Sequence, residues 1–160
     1  MAELMAKGEK PEVLFWVGCA GSFDDRAKKI TGDPAKRAGN EFLFQMQAMT
    51  NIQVMNAYEV KKIVTTCPHC FNTLKNEYLG LGGDYEVLHH SQFLQKLMEE
   101  GKLKIEGGEF KGKKISFHDP CYLGRGNGEY EAPRALLEQL DAELVELKRC
   151  KSKGLCCGAG

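Results

Sequence analysis

The chain has 160 residues, which suffices for a substantial hydrophobic core and is typical of one domain. Its 22 basic and 22 acidic residues cancel and are spread without blocks, which argues against a nucleic-acid or anionic-membrane surface. No apolar run approaches the roughly 20 residues that cross a bilayer, and residues 1–7 lack the apolar segment of a secretory signal. We therefore expect a cytoplasmic protein with no nucleic-acid partner and no transmembrane segment.

Short apolar runs alternate with helical patterns along the chain. Aspartate at position 33 suits a helix N-cap, and Pro34 suits the first position of a long helix. Met46 and Met49 recur at helical spacing and are expected to pack in the core. Strands are predicted at 13–17, 61–66, 85–88, 114–117 and 142–147, and later helices begin at 67, 91 and 132. This alternation predicts an α/β fold, with a mostly parallel sheet flanked by helices.

Cysteines stand at the ends of the predicted strands. Cys19, Cys67 and Cys121 each come at or shortly after the end of an apolar run, and the pair Cys156-Cys157 follows the last strand. Ligands of parallel sheets bind beyond the carboxyl ends of the strands. Seven thiols, an odd number, in a chain expected to be cytoplasmic do not suggest a disulfide framework. The cysteines are therefore expected to share one crevice and to present thiolates to a metal centre.

The motif Cys67-Pro68-His69-Cys70 is the sharpest local signal. At the start of a helix, free backbone N–H groups and the helix dipole favour thiolates. Three interpretations stay open at this point: iron–sulfur ligation, zinc ligation and a thioredoxin-like redox pair. A redox pair leaves the other cysteines unexplained, and structural zinc usually needs a second knuckle at defined spacing. A multi-iron cluster, with thiolates from several elements, accounts for most of them.

The segment around Cys121 offers further candidates. His118 could act as a base for the nearby thiol, although His118-Asp119 is more readily interpreted as a polar strand end. The glycine-rich stretch 124–128 lacks the full spacing of a dinucleotide-binding turn and is predicted to be a flexible loop. Arg125 within it could contact an anionic substrate or cluster.

Four stretches resemble the cysteine-rich CCG domain: 16–24, 67–78, 118–125 and 156–160. That domain occurs in the B-type and D-type components of heterodisulfide reductase and in related iron–sulfur oxidoreductases linked to glycerol 3-phosphate, glycolate and lactate oxidation. The resemblance implies an iron–sulfur cluster of the [4Fe-4S] type that carries electrons or reduces a disulfide. It also implies partner subunits, either ferredoxin-like or flavoproteins, through which the chain would associate peripherally with a membrane.

The resemblance further implies two pseudo-symmetric CCG half-domains. Residues 1–10 would be an extension, 11–100 the first half-domain, 101–112 a connection and 113–160 the start of the second. Cys150 matches no ligand position. The implied cluster ligands are Cys19, Cys67 and Cys70 in the first half-domain and Cys121, Cys156 and Cys157 in the second.

This chain departs from the CCG pattern in two places. A helix and strand that end in cysteine are missing near residues 30 and 31, and the closing Cys-x-x-Cys of the second half-domain is missing after Gly160. We therefore expect an incomplete copy of a longer protein. Two alternatives to the iron–sulfur hypothesis are a metal-free docking module for a flavoprotein or ferredoxin subunit, and a dithiol or zinc protein built on the Cys67–Cys70 motif.

Overall fold

Helices and strands alternate along the chain, and every strand pair is parallel. The computed structural model describes residues 12–17, 31–106 and 108–158. The α/β class predicted from the sequence is confirmed.

The chain divides into two units, one ending at His89 and the other beginning at His90. In the first unit the elements are β1 (Leu14–Trp16), α1 (Asp33–Arg37), α2 (Glu41–Ala57), β2 (Lys62–Thr65), α3 (Pro68–Asn72) and β3 (Glu86–His89). In the second unit they are α4 (His90–Glu99), β4 (Lys114–Ile115), α5 (Gly124–Asn127), α6 (Glu131–Glu138) and β5 (Glu143–Leu144).

The first unit is built around β2, the central strand of a three-stranded sheet in the order β1-β2-β3. Ile63 of β2 pairs with Leu14 of β1 on one side and with Val87 of β3 on the other. Ile63, Val64 and Thr65 are all buried, which is typical of a parallel strand covered on both faces. Cys67 therefore lies two residues after the end of a buried strand.

The long helix predicted from Asp33 onward is instead two helices. Gly39, with φ 77°, ends α1 in a left-handed conformation that glycine adopts without steric strain. The side chain of Asn40 then caps α2 by accepting a hydrogen bond from the Leu43 N–H at 3.0 Å. The prediction of Asp33 as an N-cap is also wrong, because Gly32 occupies that position and Asp33 lies inside the first turn.

Helix α2 buries one apolar face and leaves a second apolar face in solvent. Ile52 and Met55 lie in the core, together with Phe44 and Ala48. Met46 and Met49 were expected in the core but are 53% and 51% exposed. The expectation failed because α2 carries apolar residues all round, so its periodicity cannot show which face packs against the sheet.

The second unit contains a two-stranded parallel sheet, in which Ile115 of β4 pairs with Leu144 of β5. Helix α4 packs against α6 in this unit. Stretch 124–128, predicted to be a flexible loop, forms the helical turn α5 and ends at Gly128 with φ 71°. Within the described residues, no helix combines the length and apolar character needed to cross a bilayer.

Candidate metal centre

The first thiol pair lies at the carboxyl end of β2. Cys67 occupies the N-cap position of α3, and its backbone N–H donates to the Thr65 hydroxyl at 3.3 Å. Cys70, one turn later, is fully buried, and its sulfur lies 3.9 Å from the hydroxyl oxygen of Thr31. Proline at position 68 has no N–H to lose and suits the first helical turn. The local sequence thus directs both sulfurs to the same end of the short helix.

A buried carboxylate braces this pair from the side of α1. Asp33 is 5% exposed, and its Oδ2 lies 3.0 Å from Nδ1 of His69, between the two cysteines. Its Oδ1 accepts hydrogen bonds from Arg37 Nε at 3.1 Å and from the Thr73 hydroxyl at 3.3 Å. One side chain therefore connects the start of α1 with both ends of α3.

These contacts shift the protonation of the first thiol pair. A hydrogen bond with the Cys70 thiol, the backbone N–H groups of Cys70 and His69, and the charge of His69 outweigh burial and lower the pKa of Cys67 to about 6. The hydrogen bond and charge of Asp33 raise the pKa of His69, against the effect of burial. Burial raises the pKa of Asp33, but hydrogen bonds and charges from His69 and Arg37 lower it overall. Cys67 is thus a thiolate at neutral pH and favours a metal ion or an electrophile.

The second thiol pair joins two distant segments of the second unit. The sulfur atoms of Cys121 and Cys156 lie 3.8 Å apart. The backbone N–H of Gly158 donates to the Cys156 sulfur at 3.4 Å. Cys121 is half-buried, whereas Cys156 and Cys157 are exposed. The pair therefore faces solvent, where a metal or a partner can reach it.

The spacing of this pair fits two thiolates on one metal. Thiolate–metal bonds of about 2.3 Å in a tetrahedral centre place two sulfurs about 3.8 Å apart. The sulfur atoms of Cys121 and Cys156 already have this separation. Thiolate ligands suit iron–sulfur clusters and zinc alike. The type of donor therefore fits iron–sulfur chemistry, and the spacing fits two thiolates on one metal ion.

The two sulfurs of the second pair ionise differently. The backbone N–H of Gly158, the Cys121 thiol and the charge of Arg125 lower the pKa of Cys156. Burial and the neighbouring Cys156 raise the pKa of Cys121. Cys156 is therefore the first of the two to become a thiolate. Arg125, singled out in the sequence as a possible anion contact, donates from Nη1 to the carbonyl of Gly154 and so lies beside this pair.

Not every predicted ligand lies in a described part of the chain. Cys19 falls outside the described residues. Among the residues that are described, no three His, Cys, Asp or Glu side chains converge tightly enough to hold a metal ion. The assignment of all six cysteines to clusters, and their grouping in one crevice, stays a prediction. Cys150 lies on the loop before Lys151 and hydrogen-bonds the carboxylate of Glu146.

The polar side chains that hold the thiol pairs in place were not predicted from the sequence. Both oxygens of Asp119 bind the guanidinium of Arg134, and Oδ2 also accepts the backbone N–H of Lys151. The carboxylate therefore serves this network. A signal did exist for Arg134: it stands among Ala132, Pro133 and Ala135 on an otherwise apolar stretch of α6, where a charged side chain needs a partner.

Fold and site together define a cysteine-rich α/β protein with one thiol pair at a strand end in the first unit and another between two loop segments of the second. Comparison with known proteins agrees with this description. The model of the CCG cysteine-rich domain matches residues 31–75 and 115–160. This chain therefore belongs to the CCG cysteine-rich domain family.

Curated relatives carry names of iron–sulfur or electron-transfer proteins. The chain is 41% identical to the EtfAB:quinone oxidoreductase of Syntrophomonas wolfei, over 96% of this chain and 24% of that protein. It is 40% identical to the probable iron-sulfur-binding oxidoreductase FadF of Bacillus subtilis, over 99% of this chain and 26% of that protein. It is 35% identical to a component of the dihydromethanophenazine:CoB–CoM heterodisulfide reductase of Methanosarcina mazei, over 71% of this chain and 28% of that protein. No solved structure matches the chain.

The chain is shorter than the corresponding parts of these relatives. It spans about a quarter of their length. The first two alignments run over 177 and 183 positions, more than the 160 residues of this chain. The relatives therefore contain residues that have no counterpart here. The segment expected to be missing would lie between residues 30 and 31, and residue 30 is outside the described part of the chain.

Proposed function

We propose that this chain is a cysteine-rich module of a larger iron–sulfur oxidoreductase and that its thiolates hold a [4Fe-4S]-type cluster. The observation that carries the proposal is the approach of the Cys121 and Cys156 sulfurs to 3.8 Å, which brings thiols from two distant segments together, as ligation of one metal centre requires. The lowered pKa of Cys67, to about 6, supports ligation in the first unit. Family membership and the relatives' names point to the same chemistry.

The ligands proposed for the first unit are Cys19, Cys67 and Cys70, and those for the second unit are Cys121, Cys156 and Cys157. When bound, an iron–sulfur cluster accepts and releases single electrons. The residues of this chain would supply negative sulfur at neutral pH, as Cys67 does. Buried polar neighbours such as Asp33 would orient the ligands.

Electron transfer would require partners. One relative is named for EtfAB and quinone, and another is named as part of a heterodisulfide reductase. We accordingly propose a flavoprotein or a ferredoxin-like subunit as donor, and a quinone or a disulfide as acceptor. Association with a membrane would be peripheral, through these partners. Reduced thiols are maintained in the cytoplasm, which is the compartment that the proposal requires.

A second candidate function is dithiol chemistry at Cys67 and Cys70, favoured by the low pKa of Cys67. In that case the Cys67 thiolate attacks a partner disulfide, one partner thiol leaves, and the Cys70 thiol displaces the second partner thiol. The protein dithiol loses two electrons and two protons, and the partner disulfide is reduced to two thiols. Cys70 is close enough to Cys67 to hydrogen-bond it, as this resolving step requires.

Anaerobic reconstitution with ferrous iron and sulfide tests the proposal. We expect the chain to take up both elements and to show the optical charge-transfer bands and reduced-state paramagnetic resonance of an iron–sulfur cluster. Cys156→Ser should lower the iron content and change the resonance, because it removes one sulfur of the 3.8 Å pair. Cys150→Ser is the matched control and should leave both unchanged.

Two outcomes would contradict the iron–sulfur proposal. The first is the absence of iron uptake by the intact chain. The second is stoichiometric zinc in the protein as isolated, together with a reversible Cys67–Cys70 disulfide that oxidises and reduces with no iron bound. The second outcome would instead support dithiol chemistry.

A further inference from the structure

We propose that Asp119 and Arg134 are positioning residues that hold the loop bearing Cys156 against the segment bearing Cys121. The ligand role of these sulfurs rests on the proposed function, whereas the positioning itself can be measured without metal. Within the described part of the chain, neither Asp119 nor Arg134 hydrogen-bonds a sulfur atom. Their effect would pass through the backbone.

Arg134 is the centre of a buried polar network. Its side chain is 5% exposed, and all five of its N–H groups donate hydrogen bonds. Two reach Asp119, at 2.7 and 3.0 Å, and two reach Glu146, at 2.6 and 3.0 Å. The fifth donates to the carbonyl of Tyr130 at 2.7 Å. A guanidinium with every donor engaged has one orientation, and it fixes the position of each carboxylate around it.

Asp119 connects the Arg134 network with the two segments that carry the sulfurs. It stands two residues before Cys121 and is 4% exposed. Its Oδ2 accepts the backbone N–H of Lys151 at 2.6 Å, in the loop that leads to Cys156. One carboxylate therefore joins two chain segments that are 32 residues apart.

The loop is held a second time before it reaches the sulfur. The N–H of Gly154 donates to the carbonyl of Lys151 at 3.1 Å, and Nη1 of Arg125 donates to the carbonyl of Gly154. Cys156 follows two residues later. With the loop tied at Lys151 and at Gly154, little conformational freedom remains to be lost when Cys156 meets Cys121.

Stability alone is a weak reason for a buried ion pair at this place. Removing two charges from water is costly, and well-packed apolar residues of the same volume often stabilise a core as well or better. The network instead lies where it sets the distance between two sulfurs. This location favours a role in geometry, and that role can be separated from stability by experiment.

The test measures how readily the metal-free protein forms a Cys121–Cys156 disulfide in glutathione redox buffers. The two thiols lose two electrons and two protons, and glutathione disulfide is reduced to two glutathione thiols. A Cys157→Ser background makes the cross-link between the two tryptic peptides unambiguous in mass spectrometry. Asp119→Asn keeps the shape of the side chain but removes its charge. We expect it to lower the equilibrium constant for this disulfide by about tenfold or more, since charge-assisted hydrogen bonds hold the loop.

Glu138→Gln is the matched control. It removes the charge of an exposed carboxylate on α6, the helix of Arg134, but leaves the links of Arg134, Asp119 and Lys151 in place, so the Cys121–Cys156 equilibrium should be unchanged. The Cys67–Cys70 disulfide, measured in the same sample, reports on general loss of structure. It should be unaffected by Asp119→Asn, because its contacts lie in the first unit.

The proposal is overturned if Asp119→Asn leaves the Cys121–Cys156 equilibrium as it is in the parent protein, or if it weakens both disulfides equally. Should Asp119→Asn fail to fold, Arg134→Lys replaces it: a lysine keeps the charge but cannot hold two carboxylates in a fork. It should lower the same equilibrium constant, and no change would count against the proposal. Absence of iron uptake by the parent protein, with the disulfide effects as expected, would refute the proposed function and leave the positioning role intact.

Discussion

At the scale of single residues, the ionisation of Cys67 depends on a group that it does not touch. The hydrogen bond of the Cys70 thiol lowers the pKa of Cys67 most. The backbone N–H and the charge of His69, whose pKa Asp33 raises, add to this effect. The carboxylate lies 36 residues away from His69 in sequence. Part of the lowering of this pKa therefore depends on the contact between α1 and α3.

The rate of alkylation of Cys67 by iodoacetamide should follow this pKa. Because only the thiolate reacts, we expect the rate to rise through pH 6 and to level off above it. Asp33→Asn should move the rise to higher pH, since His69 then loses the partner that raises its pKa. Modification is quantified at Cys67 by peptide mass spectrometry.

The unfolded protein is the reference for this measurement. Its cysteines should react with a midpoint near the ordinary thiol pKa of about 8.5. An identical profile in the folded parent and in Asp33→Asn would show that Asp33 has no part in the ionisation of Cys67.

At the scale of elements, two glycines decide how α1 begins and ends. Gly32 has φ 76° and precedes Asp33, whereas Gly39 has φ 77° and ends the helix. A Cβ on Gly32 would lie 2.9 Å from the ring of Phe44, but a Cβ on Gly39 would meet nothing within 4 Å. The same backbone conformation is thus crowded at one end of the helix and open at the other.

Replacing each glycine with alanine separates backbone strain from crowding. Gly39→Ala should lower the free energy of unfolding by about 1–2 kcal/mol, the usual cost of a left-handed alanine. Gly32→Ala should lower it by about 2–4 kcal/mol, because overpacking against Phe44 adds to the same strain. Urea unfolding followed by circular dichroism measures both. Equal losses would mean that Phe44 moves aside without cost.

At the scale of the whole molecule, charge and surface composition act together. The formal net charge is zero at pH 7, so long-range repulsion between copies is weak. The outward face of α2 exposes Phe42 at 75%, Met46 at 53% and Met49 at 51%. Clustered apolar side chains of this kind promote association.

We therefore expect the reduced chain to self-associate most strongly near pH 7 and less as its net charge departs from zero. The double substitution Phe42→Gln with Met46→Gln should raise the monomer fraction, because it interrupts the apolar face. Gln53→Asn, on the same exposed side of α2, should have no effect. Static light scattering across pH and protein concentration measures this. Association that is unchanged in the double variant would place the contact elsewhere.

The sequence was sufficient for those features that depend on neighbouring residues. Apolar runs predicted the strands, and the motif from Cys67 to Cys70 predicted a helix start, because strand burial and the first helical turn are local requirements. The motif pattern was likewise sufficient to identify the CCG family. Helical spacing gave the wrong prediction for Met46 and Met49. Because α2 is apolar all round, its sequence has no periodicity that reveals the buried face.

Only the tertiary structure decided which distant groups meet. The bonds from Asp33 to His69, from Asp119 to Lys151 and from Cys121 to Cys156 each connect residues more than 30 positions apart. Such pairings follow from the order of the strands in the sheet and from the course of the loops between them. The spacing of residues along the chain does not determine either. The sequence by itself therefore determined the chemistry that this protein can offer, thiolates at strand ends. The fold determined which thiolates pair, and which buried carboxylates hold them.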